Sequence, residues 1–341
     1  MADPRFFKNK GPFTLGQLAE KTGATLSNTD AADQEVTDVA TLDQACDARV
    51  SFFDNKKYLD QFLKTKAAAV FIHPDYEDRL PEGVAGFITT NPYKAYALAA
   101  QAFYPEHIEN AQIHEKAVIS ETAEIGDNCD IAAGAVIADG VKIGPNTRIA
   151  ANAVIGENVE IGNACDIGAN TTISHAMIGD RVAIYPGAQI GQRGFGFAID
   201  MATGFTTVPQ LGRVIIGDDA EVGANSTIDR GAGPDTIIGR GTRIGNLVQL
   251  GHNVQIGDYC VMVSQSGVSG SSKVGNFVMI GGQAGIAGHL HLGDGAKIAG
   301  QSGVMRDVDP GVEVMGTPAV PIKQYMRQIA LLAKMVKQKF K

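Results

Sequence analysis

An aliphatic residue recurs at every sixth position through most of this chain, a spacing that neither an amphipathic helix nor an alternating strand produces. The series starts at Ile113 and runs through Ile119, Ile125 and Ile131 to Ile173. It resumes at Ile178, Ile184 and Ile190 after a one-residue slip, again at Ile216, Val222 and Ile228, and finally from Ile238 to Val304. A period of six fits short strands joined by corners, three strands to a coil. The aliphatic then points inward and the coils stack about 4.8 Å apart. Gly usually follows the aliphatic, with Asp, Asn or Glu soon after, as in Ile125-Gly126-Asp127-Asn128 and Ile256-Gly257-Asp258. Gly and Asn accept the corner backbone angles that other residues resist. The expected fold is a β solenoid, a left-handed parallel β-helix; a parallel β-helix of another hand or period is the alternative. Composition agrees, because 41 Gly, no Trp and 6% aromatics do not suit a ring-rich globular core.

The period defines three segments. Residues 1–108 lack it and read as a small α/β domain. A capped helix is expected over Thr14 to Thr22, strands at Arg49 to Phe53, Ala68 to Ile72 and Val84 to Thr89, and an Ala-rich helix over Tyr93 to Phe103. Residues 109–315 form the β-helix, interrupted at 191–213 and at 229–235; loops on a rigid scaffold are where function concentrates. Residues 316–341 form a helical extension, with Tyr325, Ile329, Leu332 and Val336 at helical spacing. From Ile322 onward it carries Lys323, Arg327, Lys334, Lys337, Lys339 and Lys341 and no acidic residue. On a chain of net charge −8 that is either a solvated helix end or a docking surface for an acidic partner. The overall charge argues against nucleic acid as a partner. Four scattered Cys without a CxxC fit a reduced, cytoplasmic compartment. The start lacks the apolar run of a signal peptide, and no stretch reaches the roughly 20 apolar residues of a membrane span, which leaves at most peripheral membrane contact.

A coil of three hexads is 18 residues, so residues 18 apart stack. From His252 one coil reaches Gly270, and the next reaches Gly288 beside His289. That edge offers a base, a backbone N–H on a residue without a side chain, and a second imidazole. A lone surface His is more often structural than catalytic, but this alignment supplies what acyl transfer needs: a group to take a proton and a donor for the oxyanion. A neighbouring column, Gln249, Gly267, Gly285 and Gly303, forms a shallow groove suited to a long acyl chain; the plainer reading is that Gly suits tight corners. His289 and His291 are two apart while His114 and His175 are isolated, so no third metal ligand is evident and no metal is expected.

The sequence resembles the bacterial UDP-3-O-acylglucosamine N-acyltransferases of lipid A biosynthesis over nearly its whole length. The likeness is carried by Pro209-Gln210-Leu211-Gly212-Arg213-Val214-Ile215-Ile216-Gly217-Asp218, Thr227-Ile228-Asp229-Arg230-Gly231, Gln249 to Asn253, and Gly194-Phe195-Gly196-Phe197. It implies that Phe52, Asn55 and Tyr58 bind uridine, two rings flanking an amide that reads the base edge. It implies His252 as general base, Gly270 as oxyanion donor and His289 as an assisting group, with Asn246 and Gln249 lining the acyl and sugar site. The implied donor is a (3R)-3-hydroxyacyl chain on acyl carrier protein, docked by Arg306, Lys323, Arg327, Lys334 and Lys337. No cofactor is implied, and the assembly is a homotrimer. Gly245, Arg193 and Gly303 depart from the family's usual residues; Gly303, where some members carry a bulky residue, implies tolerance of a longer chain. The competing readings are a sugar O-acyltransferase or acetyltransferase on the same scaffold, against which the N-terminal domain argues, and a non-catalytic β-helix protein.

Overall fold

The computed structural model describes residues 2–105, 111–316 and 322–339, without the side chains of residues 322–325. The chain forms two compact units, Met1–His107 and Ile108–Lys341. No described helix is long and apolar enough to cross a membrane.

In the first unit, strands Thr25–Leu26, Ala85–Ile88, Ala69–Ile72, Arg49–Phe53 and Asp38–Val39 lie in that order in one sheet, parallel except for the first. The continuous apolar run Ala69-Val70-Phe71-Ile72 is fully buried, as a central parallel strand requires. Helix Leu15–Thr22 starts with a reciprocal Thr14–Gln17 capping box, and helix Pro92–Phe103 starts behind an Asn91 cap with Pro in its first turn. Leu15, Leu18, Phe71, Phe87 and Phe103 share one core.

The second unit is the left-handed parallel β-helix that its period predicts, with three parallel sheets of ten, ten and nine strands. Residues 18 apart pair, as in Val136↔Val154 and Ile137↔Ile155. The repeated aliphatics from Ile131 to Val304 fill one continuous core. At the N-terminal end Ile113 is exposed. Helix Ile322–Lys339 ends the described chain.

The corners refine the sequence reading. With the exception of Gly191 at the start of the first interruption, the Gly that follows the aliphatic does not adopt a left-handed angle. A Cβ on Gly126 would lie 2.5 Å from Pro145 N, and one on Gly239 would lie 2.3 Å from the Gly257 carbonyl carbon. These glycines let backbones of successive coils approach. The left-handed angle falls two residues later, on Asn128, Asn146, Asn158, Asn253 and their equivalents. Of the two interruptions, 191–213 contains an antiparallel hairpin, Phe197–Asp200 with Gly204–Thr207. The second loop is clamped where Arg213 donates to both Asp235 carboxylate oxygens, by its backbone N–H and its guanidinium, at 2.8 Å each.

One prism face differs from the other two. Its outward positions run Val118, Val136, Val154, Thr172, Gln189, Thr227, Gln249, Gly267, Gly285 and Gly303, and none of these ten is charged. The other faces carry Asp130, Arg148 and Asp166, or Glu124, Lys142 and Glu160, in the same role.

Candidate active site

The edge that follows the uncharged face carries His252, Gly270 and Gly288 in one column. Asn253, Ser271 and His289 form the column beside it. Ser271 N–H donates to the His252 carbonyl (2.9 Å), and His289 N–H to the Gly270 carbonyl (3.1 Å). The His252 ring is half-buried and lies over Gly270. A Cβ on Gly270 would sit 2.7 Å from Nε2, so only Gly leaves this nitrogen uncovered. His289 is exposed in the left-handed corner position, with φ of 62°.

The state of the Gly270 N–H follows from how the other corners are built. At several other corners the equivalent N–H is taken by an Asp or Asn side chain of the next coil. Asp258 N–H donates to Asn276, Asn276 N–H to Asp294, and Arg240 N–H to Asp258, at 2.7–2.8 Å. Above Gly270 that position is Gly288, which has no side chain to offer. Among the described residues the Gly270 N–H has no acceptor. An unsatisfied N–H beside an imidazole nitrogen can donate to an oxyanion while that nitrogen takes up a proton.

The surroundings hold the His252 ring. Its Nδ1 lies 2.8 Å from Asn253 Oδ1. Gly194 packs on its other side, where a Cβ would fall 2.6 Å from the His252 Cβ and 3.0 Å from Gln210 Oε1. Asp229 is buried and accepts from Gln192 Nε2 (2.9 Å) and Gln249 Nε2 (3.2 Å). Burial pushes its carboxyl above the ordinary range, against those hydrogen bonds and the pull of His252. Gln249 also contacts the Thr227 hydroxyl, so its amide is engaged at both ends.

The column Gln249, Gly267, Gly285 and Gly303 is continuous in register along the uncharged face. None of its three glycines has a left-handed φ, and a Cβ on Gly285 or Gly303 would meet nothing within 4 Å. Neither backbone angle nor crowding explains Gly here, and Gly weakens a strand. The strip is bare in a way that local folding does not require. Beyond Gly303 lies a recess lined by Val304, Met305, Val308, Val314 and Met315 together with Arg306 and Asp307.

The other expected residues are not all on this edge. Asn246 sits at the corner on the far side of the same face, where its Oδ1 accepts from Ala224 N–H (2.8 Å). In the N-terminal unit, Phe52 packs against Tyr96 and Tyr93, with ring centroids 4.6 and 5.1 Å away. Asn55 caps a short turn through Lys57 N–H, and Tyr58 is exposed. Arg306, Arg327, Lys334 and Lys337 are exposed, whereas the side chain of Lys323 lies outside the described residues. Sequence reasoning missed Asn253, Asp229, Gly194, Tyr93 and Tyr96. Only Gly288 was within reach of coil arithmetic as the reason for a free N–H.

Similarity to known proteins bears on the family and the fold. Residues 33–102 match the family model for UDP-3-O-(3-hydroxymyristoyl) glucosamine N-acyltransferase, LpxD. Residues 140–175 and 235–270 match the bacterial transferase hexapeptide model. The chain is 56% identical over 340 residues to the UDP-3-O-acylglucosamine N-acyltransferase of Granulibacter bethesdensis, covering 99% of this chain and 98% of that one. It is 49% identical over 339 residues to UDP-3-O-acylglucosamine N-acyltransferase 2 of Legionella pneumophila, covering 99% and 98%. Among solved structures, the Arabidopsis UDP-N-acetylglucosamine acyltransferase superposes with a TM-score of 0.54 at 22% identity, over 60% of this chain and 71% of that one, which speaks for the fold.

Proposed function

This chain belongs to the UDP-3-O-acylglucosamine N-acyltransferase family and is an acyltransferase, and from that premise we propose that it transfers a (3R)-3-hydroxyacyl chain from acyl carrier protein to the 2-amino group of UDP-3-O-(3-hydroxyacyl)-glucosamine. The observation that carries the mechanism is the unpartnered Gly270 N–H beside His252 Nε2. Nε2 takes a proton as the amine attacks the thioester carbonyl. The Gly270 N–H stabilises the oxyanion of the tetrahedral intermediate. On collapse the C–S bond breaks, and the carrier's thiolate receives the proton from His252. The C–N bond formed is the product amide. The acyl chain lies along Gly267, Gly285 and Gly303, with His289 and Gln249 beside the reacting sugar.

The same reading gives the N-terminal unit the uracil, held by Phe52, Asn55 and Tyr58. Exposed cations at Arg306, Arg327, Lys334 and Lys337, together with Lys323, suit an acidic carrier protein. A homotrimer packed through the uncharged faces is supported by their flat, charge-free strips; Asn246 then works from the far edge, toward a neighbour's His252. The enzyme works in the cytoplasm, with at most peripheral membrane contact.

The test is His252→Ala, assayed with acyl carrier protein donors and mass spectrometry of the product. The expected result is a loss of kcat/KM of about 100-fold or more, with fold and assembly intact. Unchanged transfer would remove the mechanism.

A further inference from the structure

The loop 229–235 wraps one side chain, that of Asn253, and the hydrogen bonds leave its amide only one orientation. Nδ2 lies 2.5 Å from the Pro234 carbonyl, which can only accept. Oδ1 faces the Ala232 N–H at 3.2 Å, which can only donate. The backbone N–H of Asn253 donates to Thr236 Oγ1 (2.9 Å), so the main chain is pinned as well. With Oδ1 fixed as an acceptor, the His252 Nδ1 that lies 2.8 Å from it must carry a hydrogen. A neutral imidazole with its proton on Nδ1 has its lone pair on Nε2, the nitrogen that faces Gly270.

We infer that Asn253 is a positioning residue: through the inserted loop it fixes His252 in the Nδ1–H tautomer and aims Nε2 at the reacting amine. The inference rests on the reading of His252 as the general base. It also assigns the loop a task, since an uninterrupted corner would supply neither the Ala232 N–H nor the Pro234 carbonyl. The loop is itself anchored by the Arg213–Asp235 pair. An amide here, in place of a carboxylate, orients the ring without adding negative charge against Nδ1.

The charged groups around the ring are few. Asp229 faces it from strand Thr227–Arg230 and is held by Gln192 and Gln249. Arg230 turns away, donating to the carbonyls of Gln210 and Gly191. His289 stands on the same edge two coils on.

Two variants test the inference. Asn253→Gly accepts the left-handed backbone angle and removes the amide. Asn253→Asp keeps an acceptor at Nδ1 and adds a charge. For Asn253→Gly, kcat should fall on the order of tenfold or more with the acceptor KM little changed. In ¹⁵N-histidine spectra the His252 signal should move from pure Nδ1–H to a mixture of tautomers. For Asn253→Asp, the acid limb of kcat/KM against pH should move upward by about one unit, because a neighbouring carboxylate favours the imidazolium. An unshifted acid limb together with an unmixed tautomer would overturn the inference. That outcome with His252→Ala still inactive condemns only the positioning role, whereas an active His252→Ala condemns the base.

Discussion

Replacing Gly285 by Val separates folding from function. Gly285 pairs with Gly267 below and Gly303 above, on the uncharged face. Its φ is not left-handed, and the new Cβ meets nothing within 4 Å. The substitution therefore relieves the unfolded chain of a glycine and places a β-branched residue in a strand, which together are worth up to about 1 kcal/mol in favour of folding. The same side chain blocks one coil level of the groove. A level is about 4.8 Å tall, a length that an extended acyl chain spans with roughly four methylenes. At about 0.8 kcal/mol per buried methylene the displaced segment is worth about 3 kcal/mol, or roughly two orders of magnitude in kcat/KM. The assay measures kcat/KM across 3-hydroxyacyl carrier-protein donors of increasing length, beside a thermal scan. Long donors should lose roughly 100-fold, donors whose tails stop below Gly285 should keep their rate, and Tm should hold or rise. A uniform loss at every length, or an unchanged length profile, would refute the groove.

Gly303→Met should shorten the preferred donor by filling the last coil of the strip before the recess, read by the same donor series. Gly191→Ala should destabilise the β-helix by several kcal/mol in urea titrations, because a Cβ there falls 1.6 Å from the Ser174 carbonyl oxygen at a φ of 81°. Ile228→Ala, in a fully buried core position, should cost about 2–5 kcal/mol by the same measurement. Asp235 is held below the usual carboxylate range by Arg213, so its contribution of about 1 kcal/mol is present above the unfolded value and fades as pH falls through the lower folded one. The Tm gap between the protein and Asp235→Asn should therefore be full at pH 7 and shrink below about pH 4.

The β-helix was legible because its signal repeats. Each coil places an aliphatic inward at the same phase, and errors at one corner do not propagate. Arithmetic on that period was enough to bring His252, Gly270 and His289 to one edge. What it missed depends on contacts that no period encodes. Asn253 looked like an ordinary left-handed corner residue until the loop at 229–235 closed over its amide. The glycine after an aliphatic looks in sequence like a matter of backbone angle, but at most corners the distance between coils decides it. The alternation of Phe197 and Ile199 signals the hairpin inside 191–213, although against the six-residue period the segment reads only as a loop. In sequence Phe52 groups with its neighbours Asn55 and Tyr58, while its ring partners Tyr93 and Tyr96 come from a helix some forty residues on.

Soaking the crystalline enzyme with its diacylated UDP-glucosamine product probes the proposed chemistry at atomic detail. The expected map has the new amide nitrogen against His252 Nε2, its carbonyl oxygen on the Gly270 N–H, and the hydrocarbon tail beside Gly285 and Gly303. A product amide seated at any other corner of the prism would contradict the assignment.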